Sequence, residues 1–164
     1  MKLYDNKDYI DDIRYVAGLD LPWERLQNKS IMLSGATGLI GSFLIDVILE
    51  KNDQEGLDCT VYALGRSEEK AKARFYKYAQ DPHFVFLPYD VKNPLTFHDA
   101  GTVDFILHLA SNTHPMLYAT DPIGTIATNI IGVQNLLEFA VDHKTSRFVF
   151  ASSNEVYGEN RGDV

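Results

Sequence analysis

Gly35, Gly38 and Gly41 recur at every third position in the stretch Gly35-Ala36-Thr37-Gly38-Leu39-Ile40-Gly41. Glycine has no Cβ, so it turns where other residues are strained and lets a ligand or another backbone come close. In this spacing Gly35 permits a tight turn, Gly38 clears room for a diphosphate, and Gly41 lets a following helix pack tightly. The first N–H groups of such a helix have no internal partner, and they sit at the positive end of its dipole. The chemistry that suits residues 35–41 is therefore the capture of the pyrophosphate of a dinucleotide.

That turn works only between a strand and a helix. Ser30–Ser34 is a short apolar run that supplies the strand. The residues after Gly38 supply the helix, with Leu39, Phe43, Leu44, Val47 and Ile48 expected on its buried side. The same alternation continues down the chain. Further strands are expected at Cys59–Leu64, Phe84–Leu87, Val103–Ala110 and Arg147–Ser152. A charged helix is expected over 68–80, capped by Ser67 with Glu68 and Glu69 in its first turn. A long helix is expected over 122–143. Pro122 opens it after Asp121, and Ile123, Ile126, Ile130, Val133, Leu137 and Val141 form its expected buried stripe.

Strands that are apolar on both faces, alternating with helices, specify a parallel sheet covered on both sides. The fold class is α/β: a Rossmann-type doubly wound sheet with helices on both faces, ending after the fifth strand. An N-terminal helical extension, residues 1–28, precedes the domain of residues 29–164. Its helix should span 5–18, capped by Asp5, with Trp23 and Leu26 anchoring the short turn that follows.

The chain has 164 residues, 45% of them hydrophobic, and a net charge of -8. A domain of this size buries enough surface for a core. The acidic balance argues against a nucleic-acid partner, which needs a basic face. Cys59 is the sole cysteine, so no internal disulfide forms. The acidic N-terminus lacks the apolar core of a signal peptide, and no run reaches the length of a membrane span. The expectation is a soluble cytoplasmic protein without membrane insertion. The five histidines show no metal-ligand spacing, so no metal is expected, and His108 reads as a satisfied core histidine.

Five ordered motifs carry a resemblance. They are GATGLIG at 35–41, Asp90-Val91, HLAS at His108–Ser111, NIIGVQNLLEFA at Asn129–Ala140, and FVFASSNEVYGE at Phe148–Glu159. Together they resemble the extended short-chain dehydrogenases/reductases, in particular the NAD-dependent epimerases and dehydratases that modify nucleotide sugars. The resemblance implies NAD or NADP as cofactor and a nucleotide sugar as substrate. It implies that residues 35–41, Asp90, Val91, Leu109, Ala110, Ser111 and Asn129 contact or brace the cofactor. Ser153 would hydrogen-bond the reacting sugar oxygen, and Thr113 and Asn154 would face substrate. Asn154 and Glu155 hold positions where the 4,6-dehydratases resemble an Asp-Glu pair. An amide cannot act as a general acid, so dehydration of that kind is disfavoured. Relatives often dimerise through a bundle that includes the 122–143 helix, which makes a homodimer an implied partner.

Two features complicate the assignment. The second strand ends in Gly65-Arg66, where many NAD-specific relatives carry a carboxylate. An arginine there can pair with a 2′-phosphate, which favours NADP over NAD. The family's tyrosine and lysine, four residues apart, are not found: no tyrosine in the 164 residues has a lysine four positions on. They are expected beyond Val164, so the chain reads as the cofactor-binding part of a longer enzyme, inactive alone. An NADP-dependent carbonyl or thioester reductase and a non-catalytic NAD(P)-binding sensor are the alternatives.

Overall fold

The computed structural model describes residues 3–97, 102–112 and 115–158. Five strands, β1 (Ser30–Ser34), β2 (Thr60–Gly65), β3 (Phe84–Pro88), β4 (Phe105–His108) and β5 (Arg147–Phe150), form one sheet in the order β3-β2-β1-β4-β5. Every pairing is parallel. The chain winds outward from β1 to β3, then crosses back to place β4 on the other side of β1. The strand order therefore reverses between β1 and β4, which is where open α/β sheets bind ligands. Ser34 is paired with Leu64 on one side and with His108 on the other.

Among the described residues, five α-helices accompany the sheet: α1 (Lys7–Ala17), α2 (Leu39–Glu55), α3 (Glu68–Arg74), α4 (Pro115–Thr120) and α5 (Pro122–Asp142). One core lies between the sheet and α2–α3 and includes Leu33, Ile45, Leu49, Val61, Ala63 and Phe75. The other lies between the sheet and α5 and includes Met32, Ile106, Leu136 and Phe139. Burying such residues contributes roughly 1.5–3 kcal/mol each, enough to fix which face of each element points inward. Cys59 is buried among them, and burial pushes its thiol up to about 12, so it stays protonated and unreactive.

The N-terminal segment packs on α2. Ile13 and Ala17 of α1 meet Val47, and Trp23 wedges beside them while its indole N–H donates to the Leu19 carbonyl at 2.9 Å. A polar lock holds the same junction. Asp46 of α2 is completely buried, and it accepts from the Tyr4 hydroxyl at 2.7 Å and the Tyr9 hydroxyl at 2.5 Å. Arg74, at the end of α3, donates to Asp46, to Tyr4 and to Tyr9. A buried carboxylate is tolerated only when paired and hydrogen-bonded, and here both conditions hold.

Several expectations are corrected in detail. Asn6 rather than Asp5 caps α1, accepting from the amides of Asp8 and Tyr9. The charged helix ends at Arg74 and continues as a separate 3-10 turn, because Phe75 leaves helical geometry to bury its ring. Arg74, at the end of this charged helix, belongs to the buried lock. The fourth and fifth strands are shorter than expected. Leu39 is 88% exposed instead of buried. On α5 the apolar stripe is also misassigned: Ile123, Ile126, Ile130, Leu137 and Val141 are exposed, while Gly132, Asn135, Leu136, Phe139 and Ala140 are buried. Leu136 and Phe139 pack with the sheet, and Gly132 lies against the loop after β3, where a Cβ would come within 2.8 Å of the Val91 side chain.

Candidate functional site

The glycine turn is built by backbone geometry. Gly35 adopts φ +70°, and a Cβ there would lie 2.9 Å from the Ala110 nitrogen. The turn thus leaves β1 pressed against the exit of β4. Gly41, in the first turn of α2, lies under the glycine turn, where a Cβ would meet the Gly35 carbonyl oxygen at 2.7 Å. Any side chain at either position forces backbone apart. The amide of Ala36 donates to the Leu64 carbonyl at 3.2 Å, tying the turn to β2. Gly38 is the N-cap of α2, no side chain caps it, and no acidic residue stands in the first turn. An anion placed there would meet free amides and no competing carboxylate.

This turn opens on a cavity of about 900 Å³. That volume is at the upper end of the range usual for small-molecule sites. Gly35, Thr37, Gly38, Leu39, Ile40 and Gly41 form one wall. The loops after β2 and β3 add Arg66, Asp90 and Val91, and the exit of β4 adds Leu109, Ala110 and Ser111. Asn129 of α5 and Ser153 after β5 close the remaining side. Ala36 is the one residue of the 35–41 run that is fully buried and does not line the cavity. Thr113 lies outside the described residues. Asn154 and Glu155 fall on the 3-10 turn Asn154–Tyr157, and their side chains are outside the described ones.

The walls are braced by specific bonds. The Ser111 hydroxyl donates to the Asn129 side-chain oxygen at 2.9 Å, which ties the β4 exit to α5. The Asn135 amide donates to the Val91 carbonyl at 2.8 Å and fixes the β3 exit to the same helix. Asp90 accepts from the Lys92 amide at 3.1 Å, and its neighbour Tyr89 donates a backbone N–H to the Gly65 carbonyl at 2.9 Å. Ser152, directly before Ser153, holds the left-handed conformation at φ 56°. Non-glycine residues take that conformation rarely, and it aims the following residue at the cavity.

Ser34, Tyr89, Tyr118, Thr128 and Ser152 belong to the surroundings of this cavity although sequence reasoning had not singled them out. Ser34 is the most consequential. It is completely buried, its oxygen accepts from the amides of Leu109 at 3.1 Å and Ala110 at 3.2 Å, and it lies 2.5 Å from Nδ1 of His108. A polar residue at the end of an otherwise apolar strand was the available signal. The other ring nitrogen of His108, Nε2, is buried and has no hydrogen-bond partner among the described residues. The expectation of a satisfied core histidine is therefore half met. Burial lowers its pKa, so the ring is neutral near pH 7.

The site suits a dinucleotide. Its glycine turn leaves no room for a Cβ, its helix start is uncapped, and its length runs from the β2 loop to the β5 exit. Among the described residues, no cluster of His, Cys, Asp or Glu has the composition to hold a metal ion.

Comparison with known proteins agrees with this geometry. The profile of the NAD-dependent epimerase/dehydratase family matches residues 31–163. UDP-glucuronic acid decarboxylase 3 of Arabidopsis thaliana is 36% identical over 132 residues, which is 80% of this chain and 36% of that protein. The chain thus spans about a third of the length of such relatives. A solved UDP-galactose 4-epimerase superposes with a TM-score of 0.62 at 28% identity, over 82% of this chain and 41% of the other. A UDP-glucuronic acid 4-epimerase from Bacillus cereus, solved in complex with NAD and a fluorinated UDP-glucuronic acid, shares the fold with a TM-score of 0.65. It is 24% identical, over 82% of this chain and 43% of the other. The chain belongs to the NAD-dependent epimerase/dehydratase family.

Proposed function

We propose that this chain is the NAD(P)-binding part of an enzyme that transforms a nucleotide sugar, beginning with oxidation at a sugar carbon. One observation carries the reading: the amides of the 35–41 turn, the β4 exit and Ser153 line a single cavity at the sheet's switch point. The curated relatives act, by their names, on UDP-glucuronic acid. A UDP-linked sugar is therefore the substrate class, and UDP-glucuronic acid is the first compound to test.

The bound coenzyme supplies the hydride acceptor. The chain's own residues do the rest of what these 164 positions allow. Amides of Leu39 and Ile40 hold the diphosphate. Asp90 and Val91 border the adenine end, and Leu109, Ala110 and Ser111 form the floor. Asn129 keeps that floor on α5. The Ser153 hydroxyl donates to the sugar oxygen as charge develops on it. Thr113 and Asn154 contact the sugar, and Glu155 accepts a hydrogen bond from it. Asn154 supplies no acid, so loss of water by 4,6-elimination is disfavoured. No tyrosine here has a lysine four positions on; the chain alone is expected to bind coenzyme without turnover. Exposed Ile130, Leu137 and Val141 on α5 support a homodimer through that helix.

Gly65 and Arg66 support NADP as the preferred coenzyme. Arg66 is exposed at the cavity rim, free to pair with a 2′-phosphate. Arg66→Ala should weaken NADP binding by about tenfold and leave NAD nearly unchanged, as expected for one charge-assisted contact. Calorimetric titration of both coenzymes into both proteins checks this. A wild-type preference for NAD ends the arginine argument. The same Gly65-Arg66 pair also suits an NADP-dependent carbonyl or thioester reductase. Assays of the enzyme that contains this chain, with nucleotide sugars against such carbonyl substrates, separate the two.

A further inference from the structure

We infer that Ser34 and His108 form a proton-sensitive latch under the coenzyme floor, with Ser34 donating to a neutral His108 whose proton sits on Nε2. This rests on the coenzyme reading of the cavity, and it concerns residues that lie beneath the ligand rather than against its reacting atoms. They are positioning residues.

The assignment follows from counting donors. Ser34 Oγ already accepts two N–H groups, from Leu109 and Ala110. The Leu109 amide is shared with the Ser34 carbonyl at 3.3 Å. The hydroxyl proton of Ser34 must then go outward, and the atom 2.5 Å away is His108 Nδ1. Nδ1 therefore accepts, and the proton of the neutral ring lies on Nε2. The opposite tautomer would aim a third N–H at the same oxygen and strand the hydroxyl proton.

The latch holds a functional surface. Leu109 and Ala110 line the cavity, and they lie against Gly35 so closely that a Cβ there would strike the Ala110 nitrogen at 2.9 Å. Releasing their amides from Ser34 would move the floor on which the glycine turn rests. Protonation of His108 does this chemically, because an imidazolium presents N–H at Nδ1 and can no longer accept. Among the described residues, the ring meets Ser34 from β1 and Phe148 and Phe150 from β5, none of which carries a charge. The other titratable groups on the shared cavity wall are Arg66, Tyr89, Asp90 and Tyr118. Burial lowers the pKa of His108 from the ordinary 6.5, and a Ser34 hydroxyl that donates to Nδ1 favours the same neutral form. The latch is therefore closed at neutral pH and opens on acidification.

Two measurements on the unmodified chain test this, and a variant separates His108 from other titrating groups. Nitrogen NMR of the histidine ring at neutral pH should show His108 Nδ1 unprotonated and Nε2 protonated; the reverse overturns the assignment. Calorimetric titration of NAD and NADP with falling pH should show affinity dropping by about tenfold per pH unit below the folded pKa of His108. A flat profile while the ring protonates overturns the latch. In His108→Asn the side-chain carbonyl takes the place of Nδ1 as acceptor and does not titrate, so the drop should vanish. A drop that persists in this variant assigns it to another group and overturns the latch. If the unmodified chain takes up neither coenzyme at any pH, the coenzyme reading itself fails, whereas the ring NMR still decides the tautomer.

Discussion

Asp46 shows how one residue can fix the junction of three elements. It has no exposed surface, and its charge is met by Arg74 and by two tyrosine hydroxyls. Burial and then the neighbouring carboxylate push both tyrosine pKa values well above the ordinary range, so the hydroxyls remain donors. Asp46→Ala strands the Arg74 guanidinium with only 14% of its side chain exposed. The loss should be about 3–5 kcal/mol, read as a lower midpoint in urea unfolding. Asp46→Asn keeps the shape and should lose less. Asp104 is the second structural carboxylate. Burial raises its pKa, but the Ser30 amide, Lys29 and the Ser30 hydroxyl together hold it below the ordinary carboxylate value. Its folded pKa is thus depressed. The stability it contributes is present above the unfolded value of 3.8 and is lost as pH falls through the folded value. Asp104→Asn should therefore lower stability at neutral pH and flatten the acid limb of the stability curve. An unchanged acid limb would contradict the bond pattern around Ser30.

At the scale of elements, α5 separates two meanings of an apolar stripe. Its isoleucines and Leu137 recur at helical spacing, but that periodicity says only that one face is apolar. The face that turns inward carries Leu136 and Phe139, which pack with the sheet, and Gly132 and Asn135, which meet Val91 after β3. The isoleucine face is left outward. Ile130→Glu should leave folding intact, because that side chain is already 64% exposed, and should shift association toward monomer. Sedimentation or light scattering at several concentrations checks this; identical behaviour of the two proteins would show that this face takes no part in self-association. The glycine turn was legible because all its determinants are local: a strand, three glycines at fixed spacing and a helix. The Asp46 lock was not, since Tyr4 and Arg74 stand 42 and 28 residues away and nothing local marks the pairing. Leu39 was misread for a related reason. It begins a helix whose first turn opens on the cavity, so helical periodicity there describes the rim and not the core. Ser34 escaped notice because serine at a strand end is common, and only the opposed amides of Leu109 and Ala110 reveal its task.

For the whole molecule, the reversal of strand order brings distant segments to one sheet edge. The turn at 35–41, the loops after β2 and β3, the β4 exit and Ser153 are separated by more than a hundred residues in sequence, yet they border one cavity. A fold of this kind positions a long, twofold anionic ligand with backbone amides more than with charged side chains, which suits a chain of net charge -8. No helix among the described residues is long and apolar enough to cross a membrane. The central claim is that the amides beginning α2 receive a nicotinamide dinucleotide. Calorimetric titration of NAD and NADP into the unmodified chain and into Gly41→Ala tests it most directly. The account predicts saturable binding of at least one coenzyme to the unmodified chain, weakened by about tenfold or more in the variant, because the new Cβ drives the Gly35 carbonyl out of place. Uptake of neither coenzyme by the folded chain, or equal affinity in Gly41→Ala, would contradict it.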